Sequence, residues 1–207
     1  IGTKKPDYND ETKIVVDIVE IIPMGDDLIQ VTKDFITTGK NENTTTYDDD
    51  EGSSDHPLLS RYPNTHITQY TESEYDEFDL PTGPNNEEND YPPVNKLEGK
   101  ITTITYEANN TKTSSMQVFR NYQKALNKAG FKEIFSCTNK DESCGRNFIN
   151  DFYYGAPQKD NYDHFTGGSH NKFFFYSGLL ENGVNKTYVT IGTKKPDYND
   201  ETKIVVD

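Results

Sequence analysis

The two ends of the chain carry the same sequence. Residues 1–17 and residues 191–207 both read IGTKKPDYNDETKIVVD, with an offset of 190 positions between the copies. Nothing between the copies repeats, and chance identity over such a stretch is negligible. Self-similarity at a fixed period is typical of repeat architectures, in which one unit completes its fold against the next. The simplest interpretation is a repeating unit of 190 residues that is sampled once with a short overlap.

Both copies fall within a predicted β-hairpin. Residues 186–195 and 202–207 predict strands because β-branched residues are frequent in them, and residues 196–200 predict the turn between them. Joining the copies gives KTYVTIGTKKPDYNDETKIVVDIVEIIPM, a complete hairpin that neither copy contains alone. Because an open strand edge binds another strand, we expect the sheet to be completed by a segment of a neighbouring unit, or by residues just beyond the 207 of this sequence.

The second strand of this hairpin is apolar on both faces. Alternate residues of a strand point to opposite sides, and both sets are mostly aliphatic here. A strand of this kind belongs inside a sheet. The contacts expected between units are Ile14, Val15, Val16, Ile18, Val19, Ile21, Ile204, Val205 and Val206.

Residues 114–129 are the clearest predicted helix. Ser114 and Gln117 have the spacing of a capping box, and Gly130 is the residue expected just after a helix end. Apolar side chains recur at spacings of three and four and form one stripe. The residues of the stripe are Phe119, Tyr122, Leu126 and Ala129.

Outside this helix and the predicted loops, the sequence predicts strands. Strands are predicted in residues 66–80, 97–108 and 131–137, and residues 173–180 predict a buried central strand. The region between that strand and the cysteines is polar and predicts loops. The expected fold is therefore α+β, a mainly antiparallel sheet with the helix 114–129 packed on it.

Three regions follow from this organisation. Residues 1–38 form a closing hairpin and an arm that belong to the preceding unit, and residues 39–54 form an acidic linker. Residues 55–207 form the α+β domain, which ends in the second copy of residues 1–17. A linker fits the hydrophobic content of 31% and the mean hydropathy of −0.91, which are low for a globular chain.

The net charge of −14 restricts the partners of the chain. Binding to nucleic acid requires clustered Lys and Arg, so nucleic acid is disfavoured, and an anionic membrane surface is disfavoured for the same reason. No apolar run approaches the roughly 20 residues that span a bilayer. A solvated, secreted surface suits this charge.

Cys137 and Cys144 are the two cysteines, in the segment CTNKDESC. Two thiols without a nearby histidine make an incomplete metal site, so that interpretation is the poorer one. A local disulfide that closes a polar loop is favoured. A disulfide places the protein in an oxidising compartment, and we expect an extracellular or cell-surface location.

No motif predicts catalysis. His164 and His170 flank the segment FTGGS. Two interpretations are open, a metal or catalytic site and a Gly-rich loop with ordinary surface histidines, and the loop is favoured. Ser60 lacks the turn of a hydrolase nucleophile. We expect no enzyme activity, no catalytic residue, no cofactor and no metal. Candidate glycosylation sites are Asn43, Asn109 and Asn185, each in an Asn-x-Ser/Thr sequence.

The order of several segments resembles a known family. The segments DHPLLSRYP, YDEFDLPTGP, LEGKITTITYEA, VFRNYQKALNKAGF and KIVVDIVEIIPM stand in this order once the copies are joined. They resemble an uncharacterised envelope domain of Gram-negative bacteria that precedes an OmpA-like peptidoglycan-binding domain. The resemblance implies export, an α+β fold and an envelope or extracellular setting. The chain departs from the family after the closing strand. In the family that strand leads into the peptidoglycan-binding domain, whereas here residues 18–40 lead through the acidic linker into DHPLLSRYP. The peptidoglycan-binding part is therefore absent from the period.

Two classes of function follow. The first is the structural repeat unit of an extracellular or cell-surface filament, in which copies of the chain join head to tail by shared or donated β-strands. The alternative is a secreted tandem-repeat module that binds glycans or cell wall through exposed tyrosines. A covalent tandem array and a noncovalent assembly of subunits are both compatible with the repeat.

Overall fold

The structure is a computed structural model. It describes residues 2–4, 13–15, 28–32, 49–85, 91–139, 143–145, 147–155, 173–183, 185–195 and 202–207. Its elements are β1 (Gly2–Lys4), β2 (Lys13–Val15), β3 (Thr65–Pro81), β4 (Val94–Ala108), α1 (Ser115–Lys128), β5 (Lys132–Thr138), α2 (Phe148–Gly155), β6 (Phe174–Asn182), β7 (Asn185–Lys194) and β8 (Lys203–Val206).

Six of the strands form one antiparallel sheet in the order β3-β4-β8-β7-β6-β5. Strands β1 and β2 form a separate two-stranded sheet. The ladders between neighbours are all antiparallel. The predicted α+β fold with a mainly antiparallel sheet is therefore confirmed. The strand predicted to be buried and central is β6, which lies between β7 and β5.

The predicted helix is confirmed as α1, and its C-terminus follows the expected pattern. Gly130 has a φ of 89°, and its N–H donates to the carbonyl of Asn127 while the N–H of Phe131 donates to Leu126. This is a Schellman motif. The capping box is wrong, because Ser114 is the N-cap residue but its side chain makes no capping hydrogen bond.

The sheet separates two apolar cores, and β8 contributes to both. On the side of α1 the core contains the helical stripe together with Ile204 and Val206 of β8. On the opposite side it contains Val205, α2 and the two cysteines. This alternation means that β8 is buried on both of its faces, which is the environment that its aliphatic sequence requires.

Helix α2 was not predicted, because its segment was interpreted as a polar region. Phe148 and Phe152 are spaced by four residues and are both fully buried. Their rings pack on Phe175 of β6, with centroid distances of 5.1 and 5.8 Å. The helix has eight residues, so tertiary packing of these rings stabilises it more than helix propensity does.

A buried ion-pair cluster fixes the start of the domain. Arg61 is only 8% exposed, and its guanidinium donates to both Asp49 and Asp55 over 2.8 to 2.9 Å. The Tyr106 hydroxyl donates to Asp55 over 3.0 Å, and the main-chain N–H of Ile67 donates to Asp49 over 2.6 Å. Asp49 lies within the region interpreted as the acidic linker, and it is held against the sheet.

Candidate functional site

The two copies of the repeated sequence form the same hairpin. In the first copy, Gly2 pairs with Val15 and Thr3 with Ile14. In the second copy, the equivalent residues pair in the same register, Gly192 with Val205 and Thr193 with Ile204. Identical sequence thus gives identical pairing in two different settings, so the register is encoded within the 17 residues themselves.

The surroundings of the two hairpins differ. The second hairpin, β7–β8, lies inside the six-stranded sheet between β4 and β6. The first hairpin, β1–β2, has no third strand among the described residues. Of the residues expected to join units, Ile14 and Val15 lie in β2, whereas Val16, Ile18, Val19 and Ile21 lie outside the described residues. Ile204, Val205 and Val206 are buried in β8 between β4 and β7 of their own chain.

Strand β8 is much shorter than its two neighbours. It has four residues, whereas β4 has 15 and β7 has 10. The ladder continues for one further pair, Thr190 with Asp207. Beyond this pair, residues 97–102 of β4 and residues 186–189 of β7 line a groove of about 590 Å³. We call this the strand groove.

The strand groove is lined from both sides of the sheet. On the side of α1 it is lined by Leu58, Leu59 and Val189, which belong to the first core. On the opposite side it is lined by Phe78 and Leu80, which belong to the second core, and by Leu97, Ile101 and Tyr188, which pack against that core. The groove therefore has the place and the two-sided apolar lining of a strand within the sheet.

The main chain on both walls is directed into the groove. Ala108 donates to Thr202 on the β4 side, and Thr190 exchanges two hydrogen bonds with Asp207 on the β7 side. Antiparallel ladders alternate, so every second residue further along repeats these directions. The peptide groups of residues 100 and 102 on β4 and of residues 186 and 188 on β7 accordingly face the groove. Within the described part of the chain, no ladder pairs these residues across the groove.

Charged side chains stand at the rim of the groove. Lys100 and Lys186 belong to its lining, as does Glu98. The Lys100 ammonium lies 3.2 Å from a carboxylate oxygen of Glu72 on β3. Burial, with a further contribution from Lys100, lowers the pKa of the nearby His56.

Cys137 and Cys144 form a disulfide with an S–S distance of 2.10 Å, which confirms the predicted pair. The bond closes the loop that follows β5, and both cysteines are buried on the side of α2. It lies in the core opposite α1. Disulfides are typical of proteins in oxidising compartments.

Two candidate glycosylation sites are exposed. Asn109 accepts a hydrogen bond from Nδ1 of His66 over 2.6 Å. Asn185 begins β7 at the tip of the β6–β7 hairpin, next to the strand groove. Asn43 lies outside the described residues, as do His164 and His170.

The described residues show no other chemical site. They contain no group of three or more His, Cys, Asp or Glu side chains placed to hold a metal ion. No helix in the described ranges is long and apolar enough to cross a membrane. Comparison with known proteins finds no protein-family model that matches the chain and no curated protein that matches it.

The sequence did not predict the groove, which lies beyond the end of β8 between two longer strands. The lengths of the three strands could not be compared before the order of strands in the sheet was known.

Proposed function

We propose that this chain is the structural repeat unit of an extracellular or cell-surface filament, whose units join by sharing β-strands. The observation that carries the proposal is the duplicated hairpin. One copy is part of the six-stranded sheet, whereas the other forms a two-stranded sheet with no further strand among the described residues. A hairpin with no further strand among the described residues and a groove beside β8 would be the two halves of such a strand-sharing contact.

The energetics of burial support the proposal. In the second copy, Ile204, Val205 and Val206 are at most 7% exposed. Burying five or six such side chains contributes on the order of 10 kcal/mol before the loss of entropy is subtracted. That is comparable to the stability of a whole domain. A head-to-tail contact of this kind forms an open fibre when its rotation does not close a ring.

The disulfide is consistent with the proposed extracellular or cell-surface location. Cys137–Cys144 is a feature of oxidising compartments, and the charge of −14 suits a solvated outer surface. The resemblance to an envelope domain points the same way. These features support export, and the self-assembly rests on the duplicated hairpin.

A secreted module that binds glycans or cell wall is the second candidate. It draws on Tyr75, whose side chain is 70% exposed and donates a hydrogen bond to Glu98. Aromatic rings exposed in this way stack on sugars. The described surface offers this one strongly exposed tyrosine, so the candidate has less support than assembly.

The test compares the natural chain with Val16→Asp by negative-stain microscopy and sedimentation velocity. The equivalent Val206 pairs with both Ile104 and Ile191 in the sheet, so a carboxylate at this position is incompatible with burial. We expect filaments from the natural chain and isolated particles from Val16→Asp. The control Tyr75→Ser should form filaments normally. Isolated particles from the natural chain at all concentrations would contradict the proposal and favour a binding module.

Mass measurement under denaturing conditions then distinguishes the two kinds of array. A covalent tandem array gives masses that are multiples of a 190-residue unit, as the offset between the copies predicts. A noncovalent assembly gives the mass of a single subunit. Both results are compatible with strand sharing, because the contact between units is the same in each.

A further inference from the structure

We infer that helix α1 of one copy binds the hairpin β3–β4 of a second copy, through two surface patches of opposite charge. The contact is separate from the duplicated hairpin, so it does not require strand sharing. Under the proposed function it joins units of neighbouring filaments side by side. The side chains of both patches are exposed. The helix patch consists of Met116, Arg120 and Lys124, and the hairpin patch consists of Tyr75, Glu77 and Glu98.

The hairpin patch contains an unfavourable pair of like charges. Glu77 and Glu98 lie directly opposite each other in the ladder between β3 and β4. Like charges in such a pair destabilise a sheet, because their Cβ atoms are only about 5 Å apart. Neither carboxylate belongs to an ion pair among the described residues. A cation supplied by another molecule would relieve this repulsion.

Tyr75 lies next to the two carboxylates and adds an aromatic ring to the patch. Its side chain is 70% exposed, and its hydroxyl donates to Glu98 over 2.7 Å. A guanidinium group suits such a site, because its planar fork donates to carboxylates and its face stacks on aromatic rings. The hairpin patch therefore fits an arginine better than a lysine.

The exposed face of α1 carries an arginine within a row of positive charges. Met116, Arg120, Lys124 and Lys128 are spaced by four residues and are all exposed, so they form one row along the helix. The helix contains no Asp or Glu, although the chain carries a net charge of −14. This row therefore complements the acidic surface that the same chain presents on its hairpin.

The two patches also match in their apolar side chains. In the described part of the chain, Tyr75 and Met116 are the two exposed large hydrophobic side chains, with exposed fractions of 70% and 52%. Tyr75 lies beside carboxylates, whereas Met116 lies about one helical turn from Arg120. Contacts between a thioether and an aromatic ring are favourable. Binding therefore buries both exposed apolar groups while it pairs the opposite charges.

The two patches of one copy are too far apart to bind each other. The carbonyl of Ser115, at the start of α1, accepts a hydrogen bond from the Thr193 hydroxyl. Thr193 is level with Tyr106 of β4 across β8. Tyr75 lies in the irregular part of β3 opposite residues 99–101 of β4, which is about 20 Å further along the strands. The contact therefore requires two copies, and because its two surfaces differ it can repeat from copy to copy.

Charge reversal with mutual rescue tests the inference. The background is Val16→Asp, which separates the units, so that self-association is measured without filaments. Glu77→Lys with Glu98→Lys reverses the hairpin patch, and Arg120→Glu with Lys124→Glu reverses the helix patch. In sedimentation velocity, we expect each reversal to weaken self-association at least about tenfold. An equal mixture of the two should restore it, because each reversed patch then meets its opposite.

Two control variants account for the change in net charge. Glu51→Lys with Glu181→Lys makes the same change as the hairpin reversal, and Lys132→Glu with Lys186→Glu makes the same change as the helix reversal. All four positions are exposed and lie outside both patches. Both controls should associate as the background does. Circular dichroism checks that every variant is folded.

Three results would overturn the inference. The first is reversed variants that associate as strongly as the background, and the second is a mixture of folded variants that does not associate. The third is association that appears only when an anionic polysaccharide such as heparin is added, which would assign the helix patch to that class of ligand.

Micrographs of chains without Val16→Asp separate this inference from the proposed function. We expect the natural filaments to lie side by side, and filaments with Glu77→Lys and Glu98→Lys to lie singly. Natural filaments that always lie singly would contradict the inference alone. Rescued association of the Val16→Asp units without any filaments of the natural chain would support the inference and contradict the proposed function.

Discussion

Thr190 and Asp207 exchange both main-chain hydrogen bonds across β7 and β8, over 2.9 and 3.2 Å. The Thr190 hydroxyl also donates to the carboxylate of Asp207 over 2.7 Å. Within the described residues this is the last pair of the ladder before the strand groove. The carboxylate also contributes to the environment of α2, since burial and, to a smaller extent, Asp207 raise the pKa of Tyr153. The pair thus connects the groove to the core opposite α1.

Arg61→Leu should destabilise the domain by about 2–4 kcal/mol. Removing one partner from a buried ion pair leaves carboxylates that have lost their hydrogen bonds. The value is reduced because the side chains of Asp49 and Asp55 remain 23% and 34% exposed. Urea denaturation followed by circular dichroism measures the change. Lys132→Met, which removes an exposed pair with Glu181, is the control and should leave the midpoint unchanged.

Replacing Cys137 and Cys144 together by serine should lower the stability by about 2–3 kcal/mol. The bond links residues that are seven positions apart, and the estimate is the loop-closure entropy that such a short loop removes from the unfolded chain. Thermal denaturation of the variant and of the reduced natural protein should give the same shift. An unchanged melting temperature after complete reduction would contradict this expectation.

Gly145→Ala should destabilise the loop after β5 by more than about 2 kcal/mol. Gly145 has a φ of +78°, and an added Cβ would lie 1.9 Å from the carbonyl oxygen of Asn85. The left-handed backbone alone costs about 1–3 kcal/mol for a residue with a side chain. Gly99→Ala is the matched control, since its Cβ meets nothing within 4 Å. Equal denaturation midpoints for the two variants would argue against the described contact.

The stability of the protein should rise between about pH 8 and pH 10 because of Lys194. Burial, with a smaller contribution from Lys203, lowers its pKa to about 8, against about 10.4 in an unfolded chain. In this interval the unfolded state holds the proton that the native state has released, so raising the pH favours folding. The slope is at most about 1.4 kcal/mol per pH unit.

The variant Lys194→Met isolates this effect. Its urea midpoint, measured at pH 7, 8, 9 and 10, should rise less than that of the natural protein. Above about pH 10 the sign reverses, since burial raises the pKa of Tyr106 and Tyr153 and the unfolded chain loses those protons first. Parallel profiles for the two proteins up to pH 10 would assign the dependence to another group.

The helix and the strands were predictable because each is encoded locally. The stripe of α1, Gly130 after it and the β-branched runs of the strands are visible within short windows. Helix α2 was not predicted, since its stability comes from Phe148 and Phe152 packing on β6, which lies more than 20 residues further along the chain.

The contacts that join distant segments could not be predicted from the sequence either. Arg61 forms hydrogen bonds with Asp49 and Asp55. Both belong to an acidic region whose sequence does not distinguish them from its solvated carboxylates. The repeated hairpin predicted that a further segment would complete the sheet. The groove between β4 and β7 depends on the order of strands in the sheet, and no local pattern specifies that order.

The position of β8 also decides how the protein would carry a mechanical load. The same four residues pair with β4 on one side and with β7 on the other. Tension along the axis of this strand would load both ladders in shear, so their hydrogen bonds would have to break together. Forced unfolding is governed by the unfolding rate, which such simultaneous loading keeps low. A further strand in the same line would lengthen the sheared region, so more hydrogen bonds would have to break together.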